Sequence, residues 1–320
     1  MLILESDLTW LTMKQLHHFC ITCHNEVLFR DEEDIRNVTN ILALECFSCQ
    51  VELWVDAIMS THLHGIGFAE QSQIILCCQR LKMRITKYHR NRHHGAGPLF
   101  DPGLFLLALE GNNHILAALS YVLRNGLHHG QSATPFSYPH CSANHLFRRD
   151  LGKEPLIPSI SSRSDIARYL PRRSAFPDDF AMDRNGQLLR ESFENLSMVE
   201  HYYRTPRCFD YYMSRLSGEE WQREQQQDPN SGKPITLDLL EPTSQQEPLA
   251  KMLAGEKGHN YSPSHLSDQD LCRIIDDEYV PGYHGKTLYQ LSRDQRIHIG
   301  EDLVRRIHPS PGQVRRCLAL

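Results

Sequence analysis

Two histidines spaced by one residue stand in the run His62-Leu63-His64. The surrounding stretch alternates apolar with other residues, which predicts a strand over 62–68. On a strand, residues two apart share a face. His62 and His64 should therefore point together, with Leu63 on the opposite, helix-packed side. Two imidazoles so placed can share one divalent cation; a pair of exposed or core-edge histidines would give the same pattern. A second pair is Tyr121 and Asn125. Four residues apart on a helix, they lie one turn apart on one face. A tyrosine with a pKa near ~10 is mostly protonated at neutral pH and needs help to act as a nucleophile. A metal that polarises the attacked phosphate supplies such help, and the Asn125 amide oxygen could complete the cation's shell. A core tyrosine followed by a helix-ending Asn-Gly is the plain alternative.

The elements that must position these residues can be read from periodicity. His18–Thr22 predicts a first strand, followed by a polar turn at 24–26. The acidic cluster Asp31–Asp34 opens a helix to about Cys46. Val51–Ile58 is a strand, joined through Met59–Thr61 to 62–68 as a hairpin. A helix follows from about Gln73 to Asn91, ended by the turn region 95–98. Leu104–Leu109 reads as a further strand. Asn112 or Asn113 should cap a helix that Gly126 stops. This order predicts an α+β fold, an antiparallel sheet with helices packed on it, followed by a mostly helical C-terminal region. The expected division is 1–150 for the sheet domain, 151–260 for a linker and helical accessory region, and 261–320 for a helical region. Prolines and serines at 155–164 suggest a linker or an excursion of the chain. Ser192–Leu216, Asp268–Tyr279, Arg293–Ile307 and Pro311–Leu320 read as helices, with a polar stretch at 222–234.

Composition narrows the function. At 320 residues the chain has room for about two domains, and its 40% apolar content excludes wholesale disorder. No apolar run approaches the ~20 residues of a membrane span. Glu5 and Asp7 interrupt the apolar N-terminal stretch, so no signal peptide and no membrane partner are expected. Ten cysteines without a secretory signal point to a reducing cytoplasm. The net charge of −5 announces no polyanion partner, yet the distribution is uneven. Residues 71–100 hold Arg80, Lys82, Arg84, Lys87, Arg90 and Arg92 and no acid. With Tyr88 among them they fit a phosphate-tracking surface with a stacking ring; a solvated basic helix is the alternative.

Taken in order, these motifs resemble the HUH-type tyrosine transposases, most closely the REP-associated branch of the single-tyrosine group. Phe29-Arg-Asp-Glu-Glu-Asp34 resembles the family's "FRDEED" helix entry. Asp56-Ala-Ile-Met-Ser-Thr-His-Leu-His64 resembles its "VMPNHVHL" strand, and Gly97-Pro-Leu-Phe100 its "GxLF". Leu119-Ser-Tyr-Val-Leu-Arg-Asn125 is similar to the "LxYIxxN" nucleophile helix, and Pro135-Phe-Ser-Tyr138 to the closing segment. The likeness covers roughly residues 17–147. It implies His62, His64 and Asn125 as ligands of Mg²⁺ or Mn²⁺ and Tyr121 as nucleophile. It also implies single-stranded or hairpin DNA as substrate, nicked and rejoined through a 5′-phosphotyrosine. A homodimer, in which a second subunit supplies the nucleophile's helix, is compatible with it. Ser60-Thr61 stands where the family has Pro-Asn, and Asn125-Gly-Leu-His-His-Gly130 replaces "NPVRAG". The alternative is a catalytically inactive, domesticated DNA-binding protein that recognises hairpin or repeat DNA. A replication initiator or relaxase on the same sheet would usually bring a helicase domain or a mobilisation partner, and no GxxxxGK[ST] run is present.

Other signals are weaker. Cys20-x-x-Cys23 and Cys46-x-x-Cys49 have near zinc-ribbon spacing, but on a strand Cys20 and Cys23 face opposite ways, so apolar core cysteines are expected. His128 and His129 read as a solvated loop pair, the alternative being contact with a DNA phosphate or a leaving oxygen, and His17 and His18 receive no role. The C-terminal helices resemble a helix-turn-helix whose Gln313, Arg315 and Arg316 would read DNA; a small helical bundle gives the same pattern.

Overall fold

Period-two patterning gives the central sheet two different faces. Phe19, Ile21 and Leu63 point to one side, into a core shared with Ile35, Leu42, Ile74 and Leu81. Leu16, Ile66 and Tyr121 belong to the core on the other side, with Ala118 and Val122. In the computed structural model, which describes residues 13–23, 26–93, 102–154, 156–214, 266–284 and 286–320, the strands are β1 (Gln15–Thr22), β2 (Glu52–Ile58), β3 (His62–Ala69) and β4 (Gly103–Ala108). They pair antiparallel in the order β2-β3-β1-β4. Helices α1 (Glu32–Ser48) and α2 (Gln71–His93) cover the first face, and α3 (Gly111–Leu123) covers the second. The fold is α+β, as expected. Residues 24–25, the turn at 95–98, the motif at 97–100 and the stretch at 222–234 lie outside the described residues.

Three local expectations change. Glu110, not Asn112 or Asn113, stands at the start of α3, with no side-chain cap. That helix ends at Leu123 with Arg124 as its C-cap, and Asn125–His128 form one separate turn. Gly126 is required there, since a Cβ would lie 2.5 Å from the Tyr138 Cβ. The single helix expected over 192–216 is two, α5 (Leu196–Tyr203) and α6 (Pro206–Ser214), preceded by α4 (Arg163–Tyr169). Arg204 at φ 65° and Pro206 break it, because proline disfavours helical backbone in the residue before it.

The segment read as a linker is packed. Ile160 and Met182 pair through backbone hydrogen bonds of 2.9 and 3.1 Å, and Ile166, Phe180 and Leu188 bury against Ala43 and Leu44 of α1. Arg190, 1% exposed, anchors this layer to β2: its Nε and Nη2 donate to the Asp56 carboxylate at 2.5 and 3.0 Å. Burial alone would raise the Asp56 carboxyl, but the Arg190 guanidinium outweighs it and holds it down. Neighbouring Glu194 goes the opposite way, pushed well up by burial and by Asp56.

The C-terminal region also docks on the sheet domain. Helices α7 (Asp268–Ile274), α8 (Arg293–Ile307) and α9 (Pro311–Leu318) share a core with Val27. Buried Arg30 donates to Asp276 at 2.9 Å and to the Cys317 carbonyl at 3.0 Å. As expected, α8 and α9 are successive helices. In α9, however, Arg316 is paired with Asp268 at 3.1 Å and Gln313 donates to the Leu266 carbonyl at 2.8 Å. Of the three residues expected to read DNA, Arg315 is exposed, its side chain bonding to the Pro311 carbonyl of its own helix.

Removing Arg190 would leave the buried Asp56 charge without its counter-ion. Arg190→Met should cost about 3–5 kcal/mol in chemical denaturation. Adding Asp56→Asn to it should recover part of that loss, and a double variant no more stable than Arg190→Met would refute the pairing.

Candidate active site

The antiparallel register sets Cys20 opposite His64 and Thr22 opposite His62. By strand parity His18, Cys20 and Thr22 therefore share the face of the two histidines. Across that face lies α3. The His62 and His64 ring centroids are 4.9 Å apart. The Tyr121 ring stands edge-on to His64 at 5.3 Å, with an interplanar angle of 85°. His62 Nε2 is 3.2 Å from Asn125 Oδ1. The Asn125 amide nitrogen donates to the Tyr121 and Val122 carbonyls at 3.1 and 3.3 Å, which fixes Oδ1 as the atom aimed at His62. All four residues proposed from spacing are thus brought to one place. The break at Arg124 has not separated Asn125 from Tyr121.

The site is buried. His64 is fully enclosed, and Tyr121, Asn125 and His62 are 3%, 1% and 4% exposed. Two further histidines join it. His18 Nε2 is 3.0 Å from His64 Nδ1, with the rings stacked at 5.2 Å. Burial pushes the His18 imidazole down to about 3, so it is neutral at ordinary pH. His129 is exposed, as expected of a loop histidine, with its ring 5.0 Å from that of His62. Strand parity could have found His18, but only once β1 was known to lie beside β3.

The hairpin that carries His62 is held from several sides. Met59 N donates to His62 O at 2.8 Å, and Leu28 N and Phe29 N both donate to Ser60 O. Tyr138 Oη donates to the Ile58 carbonyl at 2.7 Å, and Ser60 Oγ to Asp268 at 3.1 Å. Thr61 Oγ1 sits 3.0 Å from His62 Nδ1. Tyr138 therefore has a structural task. Tyr88 does too, since its hydroxyl donates to Asp34 at 3.0 Å.

His62 Nε2 and Asn125 Oδ1 are at hydrogen-bond distance, 3.2 Å; adjacent corners of an octahedron with ~2.1 Å bonds lie about 3 Å apart, so two of the donors are spaced such that an ion could take the place of the proton between them. Among the described residues no group of three or more His, Cys, Asp or Glu is arranged to hold a metal. The cysteines are all free thiols. Cys46 Sγ lies 4.0 Å from Cys77 Sγ on α2, within the core between α1 and α2.

The basic helix divides its charges. Arg80 and Arg84 of α2 grip the buried Glu45 carboxylate at 2.6 and 2.8 Å. Arg92 binds Asp31 at 2.7 Å, Glu33 at 3.0 Å and also Asp34. Burial would raise Asp34; His93 and Arg92 override it and hold that carboxyl at about 2. Lys87 and Arg90 are exposed. With Gln79, Lys82, Thr86 and Asn91 they line a shallow depression on the outer side of α2.

No helix among the described residues is long and apolar enough to cross a membrane. No protein-family model matches the chain, and no curated protein does. Among solved structures it is similar to a REP-associated tyrosine transposase bound to a REP hairpin. The two are 12% identical over 48% of this chain and 92% of that one, with a TM-score of 0.32. At that distance the similarity carries no argument about activity, which has to come from the site itself.

Proposed function

We propose that the protein is a metal-dependent, transposase-like enzyme that nicks and rejoins single-stranded or hairpin DNA through a 5′-phosphotyrosine on Tyr121. The observation that carries this reading is the convergence of His62, His64, Asn125 and Tyr121 on one face of the sheet. His62, His64 and Asn125 would hold Mg²⁺ or Mn²⁺. When bound, that ion draws charge from the scissile phosphate. Tyr121 Oη forms the new bond to phosphorus while the P–O3′ bond breaks. The proton lost by Oη is balanced by the one O3′ gains. Rejoining reverses this: a DNA 3′-hydroxyl attacks, the P–Oη bond breaks and Tyr121 recovers its proton. The phosphotyrosine conserves the bond energy, so no nucleoside triphosphate is required. Lys87 and Arg90 would track the DNA backbone, whereas Arg80, Arg84 and Arg92 brace α2 against α1.

The burial of Tyr121 favours a second reading, a non-cleaving protein that binds hairpin or repeat DNA. Cleavage separates the two. Purified protein with Mn²⁺ should nick an oligonucleotide taken from repeats flanking its gene and stay attached to the new 5′ end. Tyr121→Phe, which removes one oxygen, should abolish the adduct and leave DNA affinity within about twofold. Absence of any adduct in the unmodified protein, with binding intact, would favour the second reading.

Salt dependence tests the division of the basic helix. Lys87→Ala with Arg90→Ala should lower the log–log salt slope of single-strand binding by about 1.4, at ~0.7 per phosphate contact. Arg84→Ala should instead reduce stability and leave the slope unchanged, because it strips a partner from buried Glu45. An unaltered slope in the double variant would place the DNA elsewhere.

A further inference from the structure

Two carboxyl groups and one guanidinium are shut together beside β2. The side chains of Asp56, Arg190 and Glu194 are at most 1% exposed. With both acids ionised the enclosure would carry a net negative charge that water cannot reach, so one of the two must hold a proton. Asp56 is the better placed to be the anion. Arg190 Nε and Nη2 donate to it at 2.5 and 3.0 Å, and Ser142 Oγ donates at 3.1 Å. Glu194 comes no nearer than 3.8 Å to Arg190, at the Nε already given to Asp56. Neither of its oxygens has a hydrogen-bond partner. We propose that Glu194 is kept as the neutral carboxylic acid in the folded protein, and that its proton keeps the segments 140–142 and 190–195 seated on β2. This rests on the packing alone and is independent of the metal and DNA readings above.

Both segments bond to the same strand. Ala57 pairs with Cys141, and Leu53 with Glu194. Ile58 N donates to the His140 carbonyl at 2.9 Å and Asn195 N to the Leu53 carbonyl at 2.8 Å, while Asp56 N donates to Ser142 Oγ at 2.6 Å. Burial and the Asp56 charge push the Glu194 carboxyl well up, and Arg190 only partly offsets them. Of the other titratable groups close by, burial lifts the Cys141 thiol to about 12 and raises the Tyr138 phenol as well, so both stay neutral. Glu52 and the His145–Glu191 pair, 2.8 Å apart, lie nearer the surface. Arg190 and Asp56 thus balance each other while Glu194 keeps its proton. Once Glu194 ionises, a second anion competes for the guanidinium, whose Nη1 has no hydrogen-bond partner, and Asp56 loses part of its hold. Because the Glu194 pKa is raised by folding, its contribution to stability is complete below about 4.3, the ordinary glutamate value, and is lost as pH rises towards the folded value. Asp56, whose pKa is lowered, acts in the opposite sense and only in acid.

Denaturant titrations across a pH series test the proton. Glu194→Gln reproduces the shape of the neutral acid. Its folded-to-unfolded ratio should gain on that of the unmodified protein by about tenfold per pH unit above pH ~5, the effect of one proton bound only in the folded state. A difference between the two proteins that stays constant with pH would overturn the proposal. The unmodified protein supplies a second measurement that needs no variant to fold. With ¹³C at the glutamate side-chain carboxyls, one resonance should remain in the protonated position at pH ~7, where an ordinary glutamate is ionised. If every glutamate resonance is that of a carboxylate at neutral pH, Glu194 is charged and the proposal fails. The backbone amide signals of Ile58 and Asn195 should shift together with this late-titrating carboxyl and should not shift in Glu194→Gln. Amides that ignore the titration would refute the seating role.

Discussion

The register of β1 against β3 is the constraint on which the site depends. With Cys20 opposite His64 and Thr22 opposite His62, the even-numbered residues of both strands face α3 and the odd-numbered ones face α1 and α2. A slip of one residue would send His18 and Cys20 into the apolar layer that now holds Phe19 and Ile21. It would also bring Phe19 under Tyr121. Gly65 helps to fix the alignment, because a Cβ there would lie 2.2 Å from the Phe19 ring. Phe19 fills the space over that glycine, so strand pairing and core packing specify the same register.

The layers outside the sheet hold the hairpin in place. Asp56, on β2 just ahead of the turn, is clamped by Arg190 and Ser142. The turn itself is bonded by Tyr138, by the backbone at 28–29 and by the C-terminal region through Asp268. Each partner comes from a different part of the chain. The C-terminal helices therefore do more than extend the molecule: through Arg30, Ser60 and Thr287, whose hydroxyl donates to the His93 carbonyl at 2.9 Å, they touch both the hairpin and the end of α2. Side chains held by converging contacts of this sort would need little reorganisation on taking up the proposed ion.

What could be read from the chain beforehand was whatever repeats with a local period. The H-x-H pair declares itself because a strand has period two, and Tyr121 with Asn125 because a helix brings i and i+4 together. The sheet and its helices follow from the same signals. Long-range pairing is not periodic, and there the sequence misleads. Arg80, Arg84 and Arg92 look like a basic face until Glu45, Asp31 and Asp34 on another helix are seen to take them. Arg316 and Gln313 look like reading residues until Asp268 and the Leu266 carbonyl claim them. His18 received no role because its partner lies 46 residues away on a neighbouring strand.

The chemistry of the donor set fits so enclosed a position. Imidazole and amide are neutral, so the fold buries no ligand charge and avoids the desolvation cost that a carboxylate would bring. A neutral set holds a hard dication weakly, and phosphate oxygens of a bound strand are the natural source of the missing negative charge. Under the proposed function, ion and nucleic acid would favour each other's binding, since each would lower the electrostatic cost of the other. The same enclosure works against Tyr121 in its proposed role: a ring packed edge-on against His64 would have to move before its oxygen could meet a phosphorus. The interruption at Arg124, between the helix that carries Tyr121 and the turn that carries Asn125, is where such a movement can occur with the least disturbance. Asn125 could stay on His62 while the preceding helix shifts, at the expense of its own two amide bonds to Tyr121 and Val122.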